Sequence, residues 1–148
     1  MTFPEGIIGF EHRKRFALVE KSDGSPFRWL VSLEDPNLAF VVVIPTEFMN
    51  DYRLELPPAV VEKLGMKDQG EPDVVVLAIV TVPRNPAEMT ANLRGPIVIN
   101  VERRLGYQVI VDRDTYSSRH EILEEIRRSF AGRSEAATLA VAASGVSA

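Results

Sequence analysis

The side chains that most often build catalytic or metal centres are histidine, cysteine, activated serine and paired carboxylates. This chain holds two histidines, His12 and His120, and no cysteine. Each histidine has a basic neighbour, Arg13 and Arg119, and a fixed positive charge beside an imidazole disfavours a bound cation. A zinc-type centre needs several convergent ligands, and neither histidine has partners at such a spacing. Without cysteine, neither a thiolate metal site nor a disulfide framework can form. No Gly-x-Ser-x-Gly elbow is present to activate a serine. Gly6-Ile7-Ile8-Gly9 is not a phosphate loop, since no strand precedes it and no Lys-Ser/Thr pair follows. Carboxylates are plentiful, but none lies inside an apolar run where burial would raise its pKa into the general-acid range. Glu34-Asp35 and the pair Asp112 and Asp114 fall at turns, where such residues serve turn and cap chemistry. The expectation is a protein that is not an enzyme and has no catalytic residue, metal or cofactor.

What does stand out is Pro86-Ala87-Glu88-Met89-Thr90-Ala91-Asn92-Leu93-Arg94-Gly95-Pro96, between one long apolar run and the next. A segment this distinctive without chemistry suggests a surface made to be bound. On that reading Met89 and Leu93 make a partly exposed apolar contact with a partner, with Thr90 and Asn92 beside them. On the other reading Asn92 hydrogen-bonds neighbouring backbone and Leu93 anchors a loop.

Composition sets the frame. A chain of 148 residues fits one domain and can bury a core without staples. A formal net charge of −4 argues against a general nucleic-acid binder and suits a basic protein partner. The absence of cysteine fits a reducing cytoplasm. Met1-Thr2-Phe3-Pro4-Glu5-Gly6 lacks the basic and apolar regions of a secretory signal. The longest apolar run, Val74 to Val82, is far short of the roughly 20 residues of a spanning helix.

The elements that would position a binding surface can be read in order. Residues 1–15 form a turn-rich entry with apolar anchors, and Phe16 to Glu20 is a short strand. Phe27 to Leu33 is apolar at every odd position, which predicts a strand with those residues on its buried face. Ala39 to Ile44 is continuously apolar up to Pro45, as in a strand covered on both faces. Phe48 to Tyr52 reads as a short irregular or helical turn, and Arg53-Leu54-Glu55-Leu56 as a brief edge strand. Pro57-Pro58 opens a short helix that Gly65 stops. Asp68 to Pro72 is loop, and Asp73 to Val82 is the strongest strand, stopped by Pro83 and Pro86. Ile97 to Val101 and Tyr107 to Val111 form a hairpin through Glu102–Gly106, and Asp112 to Tyr116 is a polar exit. Ser118 and Glu121 have capping-box spacing ahead of a helix with Ile122, Leu123, Ile126 and Phe130 on one side, ended by Gly132. His120 then sits solvated in the first turn. Residues 131–148, rich in Ala, Ser, Val and Gly, read as a disordered tail. No β–α–β alternation appears. The fold class is therefore mainly β: a small antiparallel β-barrel-like domain over residues 1–130, with one short inserted helix and a C-terminal helix.

Several segments, in order, carry a resemblance to a known family. They are Thr2-Phe3-Pro4-Glu5-Gly6-Ile7-Ile8-Gly9-Phe10-Glu11 and Trp29 to Phe40, with Leu33-Glu34-Asp35-Pro36-Asn37 at its centre. Leu77 to Pro83, Met89 to Leu93, Pro96 to Asn100 and Tyr116 to His120 continue the series. Together they resemble the flagellar assembly factor FliW family across residues 2–120. The resemblance implies a bacterial cytoplasmic protein that binds a CsrA-type translational regulator and flagellin. It implies no catalysis, direct nucleic-acid binding, membrane or small-molecule substrate. Bound to flagellin, such a protein is sequestered; once flagellin is exported, it captures the regulator and relieves repression of flagellin messenger RNA. A CsrA-type regulator binds RNA and so presents basic surface. Glu34, Asp35, Glu47 and Asp51, acidic residues at turns, are then the expected steering charges. The resemblance also implies a strand ahead of Thr2-Phe3-Pro4, where this sequence has Met1: either the start lies further upstream, or the chain lacks that strand and a sheet edge is left unpaired, a liability and a dimer contact. The competing readings are a chaperone for flagellin alone, or a β-barrel that binds another protein or a small ligand.

Overall fold

Branched apolar runs become the strands of one curled antiparallel sheet. The computed structural model describes residues 1–21, 23–66, 74–111 and 115–130. Its strands are β1 Phe16–Glu20, β2 Arg28–Ser32, β3 Ala39–Val43, β4 Val74–Thr81, β5 Thr90–Ala91, β6 Ile97–Asn100, β7 Leu105–Gln108 and β8 His120–Glu121. Two short helices, α1 Pro58–Lys63 and α2 Leu123–Ser129, pack around them. The long strand β4 is the hub. One edge pairs with β3, from Val41↔Val80 to Val43↔Ala78. The other edge is divided: β6 takes Val74 to Leu77, and β5 takes Val80 and Thr81. That division curls the sheet into a half-barrel, with β7 beyond β6 and β8 beyond β5. The expected fold class holds. Among the described residues eight strands form; β5 and β8 were not expected, because at two residues each they are too short to leave a periodic pattern.

The sheet is packed on both faces. Val41 and Val43 point into one cluster with Phe27, Met89, Leu93, Ile122 and Ile126, while Val42 points into another with Phe3, Ile7, Phe16, Leu30 and Ile99. A third, smaller cluster of Leu56, Leu64, Met66, Val98 and Val109 lies beneath α1. Each fully buried aliphatic or aromatic side chain contributes about 1.5–3 kcal/mol relative to exposure.

Two-sided packing corrects the reading of β2. Leu30, on the even-numbered side, is fully buried in the second cluster, and Leu33, on the odd-numbered side, is 57% exposed. Trp29 packs against the first cluster. The strand lies between two cores, so a one-face alternation does not describe it.

The hairpin is also corrected. Its turn is Val101–Arg104, and the left-handed residue is Arg104, at φ 54°, not the glycine. Gly106 sits inside β7, where a Cβ would lie 2.6 Å from the Phe3 ring. It is small because the entry segment packs on it. Val109 and Val111 leave the strand but still donate backbone hydrogen bonds to Pro96 and Arg94.

Arg53–Leu56 is not a strand. The Tyr116 hydroxyl accepts from the Arg53 N–H at 2.7 Å and donates to its carbonyl at 3.0 Å, taking the place of a ladder partner. The capping box is not formed either. His120–Glu121 pairs with β5, and α2 begins at Leu123 with Ile122 as an N-cap that makes no side-chain cap bond. Cross-strand pairing outweighs the cap there. The apolar side of α2 does dock on the sheet, with Ile122, Leu123 and Ile126 buried. Glu124 and Glu125 in its first turn and Arg127 and Arg128 in its last follow the helix dipole. α1 opens at Pro58, and Gly65 follows it at φ 71°. The expected loop at 68–72, the start of the long strand at Asp73, residues 112–114 of the polar exit, the Gly132 stop and the tail at 131–148 lie outside the described residues.

Candidate protein-binding surface

The segment from Asn85 to Pro96 is built from its backbone outward. The Asn85 side chain accepts from the Ala87 N–H at 3.2 Å and caps a short 3-10 turn, Pro86–Glu88. Thr90 and Ala91 then form β5, partly covered by β8. The Asn92 N–H donates to the Ile79 carbonyl, and its side-chain oxygen accepts from the Arg94 and Gly95 N–H groups at 3.1 and 2.9 Å. Leu93 is held from both sides, its N–H by the Ser117 carbonyl and its carbonyl by the Tyr52 hydroxyl at 3.1 Å. Burial, and then the neighbouring Tyr116, push the Tyr52 hydroxyl up to about 12, so it stays a donor. Gln108 closes the clamp. Its side chain donates to the Gly95 carbonyl at 3.0 Å and accepts from the Ile8 N–H at 2.8 Å.

This geometry corrects half of the sequence reading. Met89 and Leu93 are both 0% exposed, in the first core cluster, so they cannot be the partly exposed contact. They are anchors, and Asn92 is the residue that folds the loop over them. Thr90 and Asn92 stay partly exposed.

Next to Asn92 lies a depression of about 370 Å³. Phe40 and Ile79, both partly buried, form its floor, and Ile8, Thr81, Ser118 and Arg119 stand around it. Phe10 stacks edge-on against Phe40 with ring centroids 5.2 Å apart, extending the apolar patch. Ile8 is 59% exposed. An apolar floor with a rim of hydroxyls, an amide and one guanidinium suits a peptide surface and holds no nucleophile–base pair. Sequence reasoning missed Ile8, Phe40, Gln108 and Arg119 here. They come from four separate elements, and only the two glycines bracketing Ile8, both at positive φ, mark a projecting turn.

The acidic positions do not form one patch. Glu34 and Asp35 lie in the turn before β3, whereas Glu47 and Asp51 follow it, at the strand's other end. The Glu34 carboxylate accepts from the Lys14 and Arg15 backbone N–H groups at 2.5 and 3.1 Å, and those bonds hold it below the usual carboxylate range. Asp35 meets Arg13 at 3.5 Å. Glu47 makes two hydrogen bonds to Arg28, at 2.9 and 3.0 Å, which raise the guanidinium's pKa. Asp51 is exposed and lines a separate depression with Arg53, Glu55 and Tyr116. His120 sits in β8, not in a helix, and its ring pairs with Glu125 of α2. Among the described residues, no three His, Asp or Glu side chains converge on a metal position, and no helix is long and apolar enough to cross a membrane.

A family model described as FliW protein matches residues 1–122. The flagellar assembly factor FliW of Alkaliphilus metalliredigens is 46% identical over 129 residues, covering 86% of this chain and 78% of the relative. That of Clostridium botulinum is 41% identical over 125 residues, covering 84% and 87%. A crystal structure of the flagellar assembly factor FliW superposes with a TM-score of 0.74 at 38% identity, covering 82% of this chain and 83% of the other.

Proposed function

The chain belongs to the FliW family, and we propose that it serves flagellar assembly by binding two proteins, flagellin and a CsrA-type translational regulator, without chemically altering either. Held by flagellin, it leaves the regulator free to repress flagellin messenger RNA. Released when flagellin is exported, it captures the regulator and repression lifts. The protein works in the cytoplasm and needs no cofactor, nucleic acid or small-molecule substrate. The observation that carries this reading is the family match over residues 1–122, which takes in the whole curled sheet and the patch around Phe40, Ile79 and Arg119.

The patch meets a partner through Ile8, Thr90, Asn92 and Arg119. The acidic residues act at longer range. A net charge of −4 favours approach of a basic regulator, and Glu34, Asp35, Glu47 and Asp51 contribute to that field from both ends of β3. Such charges speed encounter more than they tighten the complex. The association rate in stopped flow should therefore fall as salt rises; a rate indifferent to ionic strength removes the steering role.

A sizing column tests the whole. Purified protein should co-elute with flagellin and with the regulator when each is mixed with it separately, and flagellin in excess should displace the regulator. Co-elution with flagellin alone reduces the reading to a chaperone, and co-elution with neither ends it.

A further inference from the structure

The depression beside Asn92 has an apolar floor and a rim made of hydrogen-bond donors. The Asn92 side-chain oxygen is committed to the Arg94 and Gly95 N–H groups, which fixes the way the amide faces. Its NH2 group makes no bond among the described residues and is not sealed from solvent. Ser118 and Thr81 bring exposed hydroxyls to the same rim. The Arg119 backbone N–H donates to the Ser117 hydroxyl at 3.0 Å, which sets the chain there. Its guanidinium is exposed and makes no ion pair among the described residues. Among those residues no carboxylate lines the depression. Glu11, the acid of the adjoining turn, is bent back to accept from the Gly9 N–H at 3.1 Å. Met1 lines a different groove, which shares no residue with this one. A chain of net charge −4 thus carries one small spot of the opposite sign, directly above Phe40 and Ile79.

We propose that the depression selects a partner segment in which a large aliphatic or aromatic side chain lies within two residues of an aspartate or glutamate. The inference rests on the reading of this depression as a protein-binding surface and adds what that surface recognises. The apolar side chain covers Phe40 and Ile79. The carboxylate accepts from the Arg119 guanidinium and the Asn92 NH2 group, bonds that are stronger than their neutral counterparts. Selectivity comes as much from what is refused. A neutral or basic segment laid over the same floor strips water from Arg119 and gives it no acceptor, which costs binding. A partner that is basic overall is still drawn in by the acidic residues at the two ends of β3, and registers on the patch through a single carboxylate.

The probe is a capped hexapeptide, leucine-serine-aspartate repeated once, added to the full chain and followed by backbone amide NMR. Shifts should concentrate at Ile8, Thr81, Asn92, Ser118 and Arg119. The form with asparagine in place of both aspartates should bind about tenfold more weakly, the effect of losing a charge-assisted hydrogen bond. The form with alanine in place of both leucines should weaken by about tenfold as well, through lost apolar contact. A net charge of −4 repels an acidic peptide at long range, so a preference for aspartate reports the local site. Arg119→Gln should bind the aspartate and asparagine forms equally, whereas Arg119→Lys should keep part of the preference. No binding, shifts centred elsewhere, equal binding of the two forms to the parent chain, or a preference that survives Arg119→Gln overturns the proposal. So does an Arg119 side-chain N–H that already exchanges slowly before peptide is added, because the chain then covers the site itself. None of these measurements uses flagellin or the regulator, so a failure here and a failure to co-elute are told apart.

Discussion

The loop from Met89 to Gly95 and the turn carrying Glu34 and Asp35 both connect strands, yet they are built in opposite ways. The loop hangs on two side chains inside the core, Met89 and Leu93, and its polar residues serve it from above: Asn92 folds the backbone, while Tyr52 and Gln108 hold its carbonyls. The turn has no fully buried side chain of its own; the buried Ser32 hydroxyl before it accepts from the Glu34 and Asp35 N–H groups at 3.1 and 3.0 Å. Leu33 beside it is 57% exposed, Glu34 is tied by exposed bonds to the entry segment at Lys14 and Arg15, and Asp35 by a half-buried one to Arg13. One connection is an extension of the core that presents a fixed surface. The other is a solvated clasp whose charge acts at a distance. A contact patch needs the first kind of support, because side chains held in place lose little freedom when a partner docks.

Removing an anchor should have the largest effect. Leu93→Ala should cost about 2–5 kcal/mol, as a buried leucine truncation does, read as a shift in the urea midpoint. A loss under half a kilocalorie would mean that the loop does not rest on the core. Gly106→Ala probes the same dependence from below, because its Cβ would meet the Phe3 ring. An overpacking cost of about 1–3 kcal/mol is expected in the same assay.

Tyr52→Phe removes a single hydroxyl bond to the loop and should cost about 1 kcal/mol near neutral pH. The pH dependence gives a second reading. Folded Tyr52 keeps its proton up to about 12 against an ordinary 10. Its contribution is fully present below pH 10 and is lost as the pH rises from 10 towards 12. Unfolding curves across that window should show the parent losing stability faster than Tyr52→Phe.

Glu34→Gln addresses the clasp and should have the smallest effect. The folded carboxylate is held below its ordinary value by the Lys14 and Arg15 N–H groups, so its contribution is present above that value and fades as the pH falls through the folded one. The variant should be slightly less stable at neutral pH and less sensitive to acid, while Leu93 stays buried. A collapse of the fold in Glu34→Gln would place the turn among the anchored elements.

Much of the fold was legible in the sequence because its signals are local. Ala39 to Ile44 and Val74 to Val82 are continuous branched runs, and such runs become strands covered on both faces. Pro58 and Gly65 frame α1 by backbone preference alone. What was not legible depends on tertiary neighbours. Ser118 and Glu121 have the spacing of a cap, but pairing with β5 claims Glu121 and its neighbour His120. Gly106 looks like a turn glycine until the Phe3 ring is seen beside it. Met89 and Leu93 drew notice as apolar residues in a polar loop, and burial explains them better than contact does. The patch itself, assembled from Ile8, Phe40, Ile79 and Arg119, has no sequence signature, since the fold alone brings those residues together.

The most direct test of the account is titration calorimetry of flagellin and of the CsrA-type regulator into the intact chain and into Ile8→Asp. Ile8 is 59% exposed, so the substitution should leave the fold stable. Both proteins should bind the parent, and at least one should lose about tenfold or more in affinity for Ile8→Asp, as at an interface hot spot. Binding of neither protein, or unchanged binding of both to a folded Ile8→Asp variant, would contradict the claim that this patch is where the protein does its work.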